Sequence, residues 1–132
     1  MQLLDLYDYA EKHNITVCSF NMPKSECMSV MVDNRCFIGI DPFELKSNYD
    51  EKAKLAHEIG HCATCSFYNE LAACDIRAKH ERRADKWAIK KLVPKDELIQ
   101  ACKDWCRNNY ELAEHFGVPQ WFIEKAIAFY FD

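Results

Sequence analysis

Glycine and proline are scarce in this chain, with 3 Gly and 4 Pro in 132 residues. So few breakers leave little room for linkers or long irregular loops, which predicts one domain over residues 1–132. No stretch approaches the roughly 18 consecutive apolar residues that a membrane helix needs. The opening Met1-Gln2-Leu3-Leu4-Asp5 lacks the basic start and apolar core of a secretion signal, so a cytoplasmic protein is expected. Positive charge is not in surplus: 17 Lys and Arg face 21 Asp and Glu, a net charge of −4. That balance argues against non-specific nucleic-acid binding. The 8 cysteines show no paired CxxC…CxxC spacing, which argues against a separate structural zinc. They are read as small buried hydrophobes of a reducing compartment, with a redox-sensitive pair near the site below as the alternative.

What is present is an ample apolar fraction, 49% with 13% aromatic, and one pattern that carries chemistry. His57-Glu58-Ile59-Gly60-His61 reads HExxH. Residues four apart share a helix face, so both imidazoles can grip one metal ion from a rigid backbone. Glu58 stands one step round, placed to handle a proton on metal-bound water. The alternative is a solvated surface helix with two idle histidines. The neighbours Leu55, Ala56, Ile59 and Ala63 oppose it, because a helix apolar on most sides is buried and buried histidines need partners.

A catalytic zinc takes a third protein ligand. A metzincin would place a histidine six residues after His61, where this chain has Phe67. The segment from His80 to Ala88 has helical spacing and offers Glu81 and Asp85 four residues apart. On an isolated helix such like charges repel by a few tenths of a kcal/mol. Beside a metal site the sign reverses: Glu81 binds the cation, and Asp85 accepts a hydrogen from the far nitrogen of a ligand histidine. The competing reading is a solvated helix with local pairs Arg77–Glu81 and Arg82–Asp85. His80 is the second choice of ligand; Glu70, Asp75, Cys62 and Cys65 are weaker ones. Tyr68, His80 and Tyr130 are all available to stabilise an oxyanion.

These pieces, in this order, resemble the ImmA/IrrE-type metallopeptidases, a gluzincin-like family. The resemblance rests on an apolar strand ending near Ile38-Gly39-Ile40, then Leu55 to His61, Glu81 to Ala88, Leu92-Val93-Pro94, and a tail from Leu112 to Pro119. It spans most of the chain after about residue 30. One departure is Arg83, where the family often has a second Glu. The resemblance implies a zinc endopeptidase with Glu58 as base, whose protein substrate is a helix-turn-helix repressor of a mobile element or of stress genes. The alternative is a non-proteolytic, metal-containing regulator that works by binding a repressor or other protein.

Along the chain, residues 2–13 read as a helix and 15–20 as a strand. Residues 27–32 and 36–40 read as a hairpin turning at Asp33-Asn34-Arg35. Ser47 or Asn48 caps the long helix carrying the histidines. Helices follow, broken near Pro94, at Asn108-Asn109 and at Gly117-Val118-Pro119. The expected fold is α+β: a small antiparallel or mixed sheet packed on a mainly helical, zincin-like body. The hairpin is either a substrate-pairing edge or a cover for the core. The tail has the rhythm of a helix-turn-helix, but its last helix carries Trp121, Phe122, Ile123, Ala126, Ile127, Phe129 and Tyr130. Those suit core packing, not groove reading. The cluster Arg77, Lys79, Arg82, Arg83, Lys86, Lys90 and Lys91 reads as a wet helix face, with docking of an acidic partner as the second reading.

Overall fold

The computed structural model describes residues 1–22, 26–67 and 74–132. Its elements run α1 (Leu3–Lys12), β1 (Thr16–Ser19), β2 (Cys27–Val32), β3 (Arg35–Ile40), α2 (Asn48–Thr64), α3 (Cys74–Leu92), α4 (Lys95–Asp104), α5 (Asn109–Phe116) and α6 (Gln120–Phe131). The chain is α+β, with a three-stranded mixed sheet in the order β1-β3-β2.

The hairpin forms as its sequence predicts, with a tighter turn. Val32 pairs with Arg35, so Asp33 and Asn34 alone make the turn and Arg35 already belongs to β3. Both turn residues have positive φ, 52° and 64°. Asp and Asn tolerate that region best after Gly, and a turn of this hand matches the twist of the two strands. β1 joins the other side of β3 in parallel, pairing Val17 with Ile38. β2 is therefore an edge strand. Cys36, Ile38 and Ile40 on β3 are buried, and one apolar core runs from there through residues of all six helices.

Polar groups fix the connections. Asp41, wholly buried after β3, accepts from the backbone N–H of Met22 (2.9 Å) and of Phe43 (3.0 Å). Of the two candidate caps for α2, Ser47 fills the role: its hydroxyl accepts from Asp50 N–H at 3.2 Å. Lys52, buried on α2, donates to the Phe116 carbonyl at 2.6 Å and so satisfies the carboxyl end of α5.

Two readings need correction. The cysteines are not all passive core residues: Cys36 on β3 and Cys62 on α2 form a disulfide. Cys18, Cys27, Cys65, Cys102 and Cys106 remain thiols, and only Cys106 of these is buried. Cys62 is thus bonded across the core rather than paired with Cys65, whose left-handed backbone closes the end of α2. The last helix is also not wholly core. Phe122, Ile123 and Ala126 are buried, but Trp121, Phe129 and Phe131 are exposed. The described residues include no helix long and apolar enough to cross a membrane.

Candidate metal centre

α2 carries its motif half into the core. Leu55, Ala56, Ile59 and Gly60 are buried, and so is His61; His57 is partly exposed at the rim. α3 crosses this face at very short range. A Cβ added to Gly60 would lie 2.6 Å from the Ala84 carbonyl oxygen and 3.1 Å from its Cα. Only a glycine opposite a small, fully buried Ala84 lets the two backbones approach so closely. Glu81 and Asp85 flank Ala84 on α3. The approach at Gly60 is what brings their carboxylates to the histidines.

His57 Nε2 lies 2.7 Å from Glu81 Oε2 and 3.2 Å from His61 Nε2. His61 Nε2 lies 3.2 Å from Glu81 Oε1. Among the described residues these three are the one His/Cys/Asp/Glu group whose donor atoms converge in this way. Ligands about 2.0–2.1 Å from a tetrahedral zinc stand ~3.3 Å apart, so two of the three edges already fit and the third needs to open by about half an ångström.

The far side of each ring fixes its tautomer. His57 Nδ1 lies 2.8 Å from Asp85 Oδ1, where it donates. His61 Nδ1 donates to the Ser66 carbonyl at 2.5 Å. Ser66 reaches that place because Cys65 turns left-handed (φ 52°) and Ser66 N–H returns to the His61 carbonyl at 3.0 Å. With both Nδ1 atoms donating outward, each ring, once its Nε2 has given up any proton, aims a lone pair towards the Glu81 carboxylate. Three acceptors facing one point need a positive charge there. That charge is a shared proton or a metal ion, and the donor set of two imidazoles and a carboxylate suits zinc.

The electrostatics agree. Burial alone would lower the pKa of His57, but its bonds to Asp85 and Glu81, with Glu58 nearby, outweigh that and push it up to about 9. His61 is also raised: burial opposes this, while Glu81 and the Ser66 carbonyl favour it. Burial would raise Asp85, yet His57 and Lys125 hold its carboxyl below the ordinary value. Lys125 Nζ stands 3.0 Å from Asp85 Oδ2, so one carboxylate is shared between His57 and α6. Asp85 is committed to these two groups rather than to Arg82.

Glu58 lines an open cleft of about 200 Å³ with His57, Glu26, Cys27 and Lys54. Lys54 pairs with Glu26 and with Asp50 at the rim. Burial, with Glu58 next, pushes the Cys27 thiol up to about 12, so it stays protonated and is neither a thiolate ligand nor a nucleophile near neutral pH.

Of the other candidates, His80 is half-buried on α3 and outside the converging group, and Asp75 is exposed. Cys62 is spent in the disulfide and Cys65 points to solvent. Tyr130 donates to the Val93 carbonyl at 2.7 Å, which holds it in the packing of α6 and weakens its case as an oxyanion donor. Tyr68 and Glu70 lie outside the described residues. Sequence reasoning missed the Ser66 carbonyl and Lys125. Ser66 had a faint signal, a chain reversal after the helix; Lys125 had none.

No family model, characterised protein or solved structure matches the chain.

Proposed function

We propose that this protein is a zinc-dependent endopeptidase. The observation that carries the reading is the meeting of His57 Nε2, His61 Nε2 and a Glu81 carboxylate, with both imidazole tautomers fixed from behind and Glu58 in the adjoining cleft. His57, His61 and Glu81 would hold the ion. When bound, zinc supplies Lewis acidity to a scissile carbonyl and acidity to a water molecule. Glu58, a carboxylate in the adjoining cleft, would serve as the base that accepts a proton from the attacking water and as the acid that returns it to the departing amine. Asp85 and the Ser66 carbonyl keep the rings in the required tautomer and orientation throughout. The free edge of β2 begins beside the cleft at Cys27 and offers backbone groups to an extended peptide, which sets the scissile bond next to Glu58.

The resemblance to ImmA/IrrE-type peptidases suggests the substrate, a helix-turn-helix repressor cleaved to release a mobile element or stress genes. The direct test is to incubate zinc-loaded protein with a repressor encoded beside it and to map fragments by intact mass. A discrete cut is expected, lost in Glu58→Gln while zinc content and folding are kept. If Glu58→Gln still relieves repression in cells, the protein acts by binding rather than by cutting.

A further inference from the structure

α3 carries two acids against the histidines and a stripe of four bases beside them, with Asp85 reaching both sides. Glu81 and Asp85 face α2, where the two histidines engage them. Lys79, Arg82, Arg83 and Lys86 recur at i, i+3, i+4 and i+7, one stripe running about 10 Å along the helix. All four are exposed, and among the described residues none forms an ion pair. Like charges four apart repel, so the stripe stands at a small cost to the helix.

The stripe borders a groove of about 550 Å³ between α3 and α6, with Lys125 on the opposite wall. The groove holds five cationic side chains and one carboxylate, Asp85, in a chain whose net charge is −4. Its apolar lining comes from Ile89, Ala128 and Phe129, and Phe129 is 42% exposed although nothing polar requires it there. A basic wall over an apolar trough has a definite complement.

We propose that the α3–α6 groove is a docking site for an acidic protein segment that carries one large apolar side chain. Two features favour this occupant over a nucleic acid or a membrane. A phosphate backbone would satisfy the cations but leave the exposed Phe129 against a charged strand. A flat anionic bilayer cannot fill a trough. An apolar side chain fits the volume and covers Phe129, while flanking Asp or Glu residues meet the stripe. Because Asp85 and Lys125 line the groove, its occupant sits one ion pair away from His57. The proposal stands whether or not the metal centre is catalytic.

The test uses the whole chain and a fluorescein-labelled peptide with a single Phe between Glu and Asp flanks, read by anisotropy. Binding is expected to weaken at least ~10-fold from about 50 to about 300 mM salt as screening shortens. The double substitution Arg83→Glu, Lys86→Glu should lose at least ~10-fold at low salt. Phe129→Ser should lose ~10-fold, as should replacing the peptide Phe by Ser. Arg83→Gln with Lys86→Gln gives an intermediate loss and guards against misfolding, which circular dichroism checks. Undiminished binding by the charge-reversed protein overturns the proposal. So does indifference to both Phe substitutions, or no binding at all. Tighter binding of an oligothymidylate or of phosphatidylserine vesicles than of the peptide also overturns it, as does a salt-sensitive dimer that buries the groove.

Discussion

Zinc uptake should release protons, and the amount can be worked from the site. In the metal-free protein His57 is held near pKa 9, against 6.5 for an ordinary imidazole, because Asp85 and Glu81 overcome its burial. At pH 7 that ring is almost fully protonated, and zinc must displace the proton before Nε2 can bind. The penalty is the distance from pH 7 to the raised pKa, a factor of ~100 in apparent affinity. Affinity should therefore rise ~10-fold per pH unit between pH ~7 and ~8.5 and level off near pH ~9. His61, also raised, steepens the lower part of the curve. About one proton or more should leave per zinc at pH 7. Isothermal titration in buffers of different ionisation enthalpy counts those protons, and a competing zinc dye gives the affinities. A flat pH profile with no proton release would refute the reasoning, because it would mean that His57 is neutral in the empty site. Stability has the matching sign. His57 is raised in the folded state, so its contribution is complete below pH 6.5 and is lost as pH climbs towards 9. The amount is about 3 kcal/mol for the empty protein, and the loss should vanish once zinc is bound.

Gly60→Ala puts a methyl group against the Ala84 carbonyl and must part α2 from α3; zinc affinity should fall at least ~10-fold, with about 1–3 kcal/mol lost on urea unfolding, and an unchanged affinity would show that the close approach does not set the ligand geometry. Reducing the Cys36–Cys62 bridge, or replacing both cysteines by Ser, opens a loop with a separation of 26 residues and should cost about 3 kcal/mol in denaturant unfolding. Zinc stoichiometry should stay at one in that reduced protein, since neither sulfur belongs to the converging donors. Lys52→Met removes the cation that caps α5 through Phe116 and should destabilise by about 1–3 kcal/mol. Burial lowers the Lys52 pKa in the fold, so the wild type should gain on this variant as pH rises towards 10.5; equal slopes would argue that Lys52 is solvated.

The HExxH histidines, the Glu81–Asp85 pair, a hairpin turn beginning at Asp33-Asn34 and a helix cap at Ser47 or Asn48 were legible because each depends on spacing within a few residues. The structure took Arg35 into the strand and chose Ser47. Helical period, turn chemistry and capping act locally, and a single chain writes them openly. The helix breaks at Pro94 and around Gly117 belong to the same class. Other features depend on pairs of positions far apart in the chain. That Gly60 meets Ala84, that Lys125 shares Asp85 with His57, that Cys62 bonds to Cys36 rather than pairing with Cys65, and that Tyr130 is held by Val93 have no local signature. Each is decided by which faces the helices bury against one another. The same packing turns the acids of α3 towards the histidines and leaves its bases over Phe129. The sequence by itself determined which side chains could hold a metal and on which helices they ride. The tertiary structure decided how closely those helices approach, because only the burial of small residues at one crossing point brings carboxylate and imidazole within bonding range.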